Sequence, residues 1–138
     1  MDRLTFLSHF VLCLAIGAIA WFAYMHGVFG TVWTNDQSMM TSVICVLFLI
    51  TAAWLGWQAW RVDAADPSFG HLAERLLPML GLFGTAFGLS LQAKALVGGA
   101  AGFGPLATSL YCTACGVLAA ALVAIMTFNL EVGIRRAR

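Results

Sequence analysis

Charge is what this chain has least of. Only 9% of its 138 residues are charged, 62% are hydrophobic, and the mean hydropathy is +0.92. A water-soluble domain carries roughly a quarter charged residues, so the polar surface needed to cover a soluble globule is missing. The net charge of +1 also provides no basic face for nucleic acid. Cysteine is sparse: Cys13, Cys45, Cys112 and Cys115 all fall inside apolar runs, where a free thiol serves as a small polarizable core group. Cys112 and Cys115 spell C-x-x-C. No histidine or second cysteine pair completes a metal site, and no βαβ pattern surrounds a redox motif.

Acidic residues are missing from the middle of every apolar run. Asp2, Asp36, Asp63, Asp66, Glu74 and Glu131 all fall at ends or in loops. A self-sufficient proton carrier needs a titratable group within the membrane. His9 and His26, near the two ends of the first run, read as interfacial. Alone, the chain is poorly equipped to move protons, and a partner must bring the carboxylate.

What the sequence does contain is four apolar segments, over residues 4–29, 39–60, 76–97 and 106–130. Each reaches the ~20 residues that span a hydrocarbon core. Backbone groups in lipid must be satisfied within the segment, so all four are expected to be α-helices. The expected fold is a single all-α membrane domain over residues 1–138, with four transmembrane helices. The first segment is too long for a secretion-signal core and lacks Ala-x-Ala cleavage chemistry, so it reads as a mature helix. Arg3 precedes the first span, Arg61 and Arg75 sit between the second and third, and Arg135, Arg136 and Arg138 follow the fourth. Loops 30–38 and 98–105 hold no Lys or Arg; Lys94, near the outer end of the third span, can snorkel to the interface. Both termini and the middle loop, 61–75, are therefore expected in the cytoplasm. Trp54, Trp57 and Trp60 at the inner end of the second span, and Trp21 and Trp33 beside the first outer loop, suit interfacial anchoring. Asp66-Pro67 predicts a turn, and Pro105 suits the first turn of the fourth helix.

Two stretches stand apart: LGLFGTAFG at 80–88 and SLYCTACG at 109–116. Each sets a threonine among small residues. Thr85 and Gln92 are seven apart and share a helix face, with Gly81, Gly84 and Gly88 beside them. Gly84 and Gly88 make a G-x-x-x-G spacing, which lets another backbone approach closely. On the fourth helix Thr113, Ala120 and Thr127 also step by seven, with Gly116 adjacent to Thr113's turn. Two readings stay open: packing, with the hydroxyls bonded back to their own i−4 carbonyls, or a narrow wet path lined by hydroxyls.

PMLGLFGTAFGL, followed by LATSLYCTACGVLAAALVAIMTFN, resembles the MotA/TolQ/ExbB proton-channel family. Leu80, Gly81, Gly84, Thr85 and Gly88 match its first pore motif. Leu110, Thr113, Ala114, Gly116, Ala124 and Asn129 match its second, with Phe128 in place of the usual tyrosine. The resemblance covers residues 78–129. It implies a pentameric ring in a bacterial inner membrane, enclosing a single-span ExbD-, TolR- or MotB-like partner that carries a membrane aspartate. Thr85 and Thr113 are then the pore hydroxyls, with Gln92 and Thr108 along the same path. Gly81, Gly84, Gly88 and Gly116 are the packing residues. No covalent chemistry is required, so the resemblance implies neither an enzyme nor a cofactor.

Three departures bear on what the resemblance implies. Thr108 stands where ExbB- and TolQ-like members often carry an acid. Ala124-Ile125-Met126 lacks the family's proline, which predicts a straighter helix. The large cytoplasmic insertion between the second and third spans is missing, which points away from a flagellar stator and toward a minimal energiser. Two other functions remain open: a non-transporting membrane scaffold or assembly factor, and a small autonomous transporter. The transporter would want a membrane glutamate in the first helix, which has none.

Overall fold

A computed structural model describes residues 3–36, 38–61, 64–98 and 104–137. They form five helices: α1 (Arg3–Met25), α2 (Val28–Asn35), α3 (Met40–Trp60), α4 (Ser68–Val97) and α5 (Gly104–Ala137). Of these α1, α3, α4 and α5 are long and apolar enough to cross a membrane. The chain is thus all-helical and has the makings of a multi-pass membrane protein. Asp2, Asp63, Arg138 and most of the loop expected at 98–105 lie outside the described residues.

The first expected span, 4–29, is divided. Helix α1 ends at Met25, and Gly27 adopts φ +71 before α2 begins at Val28. That left-handed conformation costs glycine nothing because it has no Cβ. The loop expected at 30–38 is therefore mostly the short helix α2. The third span starts at Ser68, eight residues before the expected 76. Its first two turns are polar, so apolar counting misses them, but they are helical all the same. The Asp66 carboxylate accepts the Ser68 N–H at 2.9 Å across the turn at Pro67 that precedes the helix. The middle loop shrinks accordingly to residues 61–67. Helix α5 begins at Gly104 with Pro105 in its first turn, and it runs unbroken through 124–126 to Ala137.

Helices α4 and α5 make the most extensive contact in the molecule. Helix α3 lies against both, α1 leans on α3 and α5, and α2 touches α1 and α5. Ile44, Leu55, Leu77, Val123, Met126 and Leu130 form the heart of the core. Large apolar side chains elsewhere point outward, among them Leu14, Ile19 and Phe22 of α1, Leu82 and Phe83 of α4, and Val117 and Leu118 of α5. Such a surface suits hydrocarbon and not water. All five tryptophans are likewise exposed.

At the basic end of the bundle, where α1 starts and α5 finishes, polar contacts tie the helices together. Ser8 Oγ donates to Asn129 Oδ1 at 2.7 Å, and Asn129 Nδ2 donates to the Thr5 carbonyl at 3.3 Å. His71 Nε2 lies 2.8 Å from Glu131 Oε1, and Glu131 lies 3.9 Å from Arg135. His9, near the start of α1, is packed inside the bundle and only 4% exposed. It fits against α3 because Gly56 has no side chain, and a Cβ there would stand 3.0 Å from the imidazole Nε2.

Candidate functional site

The buried face of α4 is Gly70, Ala73, Leu77, Gly81, Gly84 and Gly88. This is a helical stripe of mostly small residues, and α5 presses into it. A Cβ on Gly81 would lie 2.9 Å from the Cys112 carbonyl, and one on Gly116 would lie 2.8 Å from the Leu77 carbonyl. On Gly84 it would meet the Cys112 Cβ at 2.6 Å, and on Gly88 the Pro105 carbonyl at 2.7 Å. All four predicted packing glycines therefore sit where backbone meets backbone or the root of a side chain. Small residues permit this approach between membrane helices.

The seam brings the two threonines together. Thr85 Oγ1 and Thr113 Oγ1 are in direct hydrogen-bond contact across α4 and α5. Thr85 Oγ1 also reaches the Gly81 carbonyl at 2.9 Å and the Ser109 carbonyl at 3.3 Å, and Thr113 Oγ1 reaches the Ser109 carbonyl at 3.0 Å. Each hydroxyl has one proton to give. Both are satisfied if Thr85 donates to Thr113 and Thr113 to the Ser109 carbonyl. Both are equally satisfied in the reverse order, with Thr113 donating to Thr85 and Thr85 to the Gly81 carbonyl. The pair is a short hydrogen-bond chain with two directions. Both threonines are half-buried, and the chain carries no formal charge.

The other two predicted path residues stand apart from this pair. Thr108 is fully buried, and five residues before Thr113 sets it about 140° around the helix. Gln92 is half-buried two turns beyond Thr85, and its buried Oε1 has no hydrogen-bond partner among the described residues. Thr127, on the seven-residue stripe of α5, is buried near the basic end, where Gly70 leaves room for its side chain.

By sequence Asp36 is a loop residue at the end of an apolar run. In the fold it is 8% exposed. Its Oδ2 accepts the Thr41 N–H at 2.8 Å, and its Oδ1 accepts the Ser38 N–H at 3.0 Å and the Ser38 hydroxyl at 2.7 Å. Burial pushes this carboxyl's pKa up, but the hydrogen bonds from Ser38 and Thr41 outweigh it and hold the group below the usual carboxylate range. Asp36 closes α2, and its carboxylate reaches forward to the first turn of α3. How deep the carboxylate sits was not legible in the sequence. Among the described residues no cluster of His, Cys, Asp and Glu could hold a metal ion.

Compared with known proteins, the chain matches no family model, no curated protein and no solved structure.

Proposed function

We propose that this chain is the channel-forming subunit of an ion-motive-force-driven complex in a bacterial inner membrane. Copies of it, five by the family resemblance, surround a single-span partner that carries a membrane aspartate, with both termini in the cytoplasm. Thr85 and Thr113 flank the path to that aspartate. One observation carries the reading: half-buried threonines from two separate sequence motifs share one reversible hydrogen-bond chain at the α4–α5 seam. A hydroxyl accepts and donates, so it can hand on a proton or line a water wire without trapping charge. The energy comes from the ion gradient, at about 2.3 kcal/mol per charge per 100 mV plus any pH difference.

The test is native mass spectrometry of the purified protein in mild detergent, alone and with single-span candidates carrying a mid-span aspartate. A ring near five times 14.8 kDa that gains two small subunits supports the reading. A monomer or dimer that recruits nothing overturns it.

A second reading, a non-transporting scaffold, has its own support. Thr85 and Thr113 each reach the carbonyl four residues back, at 2.9 and 3.0 Å, as hydroxyls do when a helix only packs. Loss of ion flux in hydroxyl-free variants that still assemble separates the two.

A further inference from the structure

Where α1 starts and α3 ends, a groove of about 330 Å³ opens between the two helices. Ala53, Gly56, Trp57 and Trp60 recur at helical spacing along α3, and Phe6 enters from α1. Ala53 and Gly56 are the small residues that leave the space. Phe6 meets the Trp60 ring edge-on, with centroids 4.9 Å apart, and this contact marks the basic end of the groove. Trp57 and Trp60 are both exposed, so the groove opens outward and not into the core. Its side chains are apolar except for the two indole N–H groups, which suit the boundary between hydrocarbon and headgroups.

The charge at its rim is positive. Arg61, the residue after Trp60, lays its guanidinium over the Trp57 ring, 4.7 Å from the centroid. That contact holds the cation beside the groove wall and leaves its N–H donors around the edge of the plane, where they can meet an oxyanion. None of the ion pairs among the described residues includes Arg61. Arg3 opens α1 one turn before Phe6, which puts a second basic residue at the same end of the helix pair. Apolar along its length and cationic at its basic end, the groove complements a molecule with an acyl chain and an anionic head. Any phosphate attracts a guanidinium, but a choline head carries its own cation, which Arg61 repels. The net charge of the head therefore decides what is held.

We propose that this groove is a binding site for one anionic phospholipid per chain. An acyl chain lies along Ala53 and Gly56, between Phe6 and Trp57, and the headgroup phosphate sits on Arg61. The site does not depend on the channel reading, since none of its residues belongs to the α4–α5 seam and a scaffold would carry it equally. Bound there, the lipid joins the start of α1 to the end of α3.

The experiment is native mass spectrometry of the full chain, released from mixed micelles with equal amounts of phosphatidylglycerol and phosphatidylcholine of the same acyl length. The expected result is one lipid retained per chain, with phosphatidylglycerol preferred about fivefold, the worth of one basic residue at an anionic surface. Arg61→Gln should abolish that preference, and Arg61→Lys should keep most of it. Arg75→Gln is the control for general attraction, because Arg75 stands on α4, which lines no part of the groove; it should leave the preference unchanged. Ala53→Phe fills the groove from an exposed position and should abolish retention of both lipids. Equal retention of the two lipids by the wild type overturns the proposal. So does a preference that survives in Arg61→Gln, or one that falls equally in Arg61→Gln and Arg75→Gln. An Ala53→Phe variant that changes the oligomer mass while lipid retention stays the same also overturns it, because a second copy of this chain then occupies the groove. If Arg61→Gln does not fold, Ala53→Phe decides: retention lost with the groove filled supports the site, and retention kept removes it. If neither folds, the wild-type preference decides.

Discussion

Gly116 and Gly81 meet backbone to backbone: a Cβ on Gly116 would stand 3.0 Å from the Gly81 Cα and 3.2 Å from its nitrogen. Neither neighbour is a flexible side-chain tip that could swing aside. Alanine at either position therefore forces the helices apart, at a cost of about 1–3 kcal/mol. Thermal melting in detergent should show both alanine variants destabilised. Gly84→Leu and Gly88→Leu, whose Cβ positions already collide with Cys112 and Ser109, should fail to assemble at all.

Thr85→Val and Thr113→Val should behave differently. Valine keeps the branched shape but removes the hydroxyl, so the seam still closes. The loss is of one or two modest hydrogen bonds, about 1 kcal/mol each. Both variants should assemble at wild-type size while proton or sodium flux in the partner-bound complex falls to background. Wild-type flux in both would refute the pore assignment.

At the basic end, Glu131→Gln should matter little to stability. Glu131 is 28% exposed and His71 48%, so solvent screens the contact and its removal should cost less than about 1 kcal/mol. Asn129→Leu should cost more, because it breaks two contacts from α5 to α1, to Ser8 and to the Thr5 carbonyl. A side-by-side melt of the two variants tests that ordering.

Asp36 fixes the sign of one pH effect. Its folded-state pKa lies below the ordinary value because hydrogen bonds from Ser38 and Thr41 outweigh its burial. Such a group contributes its full stabilisation above the unfolded value, about 3.9. It loses that contribution as the pH falls through the lower folded value. Stability should therefore hold steady from neutral pH to about 5 and decline below about 4. The decline should be shallower in Asp36→Asn. Melting curves across that range, wild type against variant, provide the check.

The seam was legible in the sequence because its signal is local. Gly81, Gly84 and Gly88 recur at helical spacing beside Thr85, and Gly116 follows Thr113 by three residues, so each helix declares its own small face. Pairing those faces placed the two hydroxyls in contact. Thr108 and Gln92 were less legible, since a place along a helix does not tell whether a side chain reaches a neighbour. The break at Gly27 was hidden because a glycine inside an apolar run has the same composition whether it continues a helix or turns it. The early start of α4 was hidden because its first turns are polar. Asp36 escaped for a different reason. Its meaning depends on how far the stretch before α3 dips toward α5, a long-range fact that no window of sequence contains.

Helices α4 and α5 run for 30 and 34 residues, about 45 and 51 Å, against a hydrocarbon thickness of about 30 Å. Much of their surplus length lies beyond Gly84 and Cys112, which face Met40 and Thr41 at the start of α3, and so emerges at the end opposite the basic one. Around Thr85 and Thr113 the two rods touch through glycine, so little pliable side chain lies between them there to absorb a shear. A push delivered to those protruding tips would be passed along the seam to Thr85 and Thr113, and a tilt imposed on the threonines would reappear at the tips. The seam makes the α4–α5 pair a lever, with its fulcrum in the membrane.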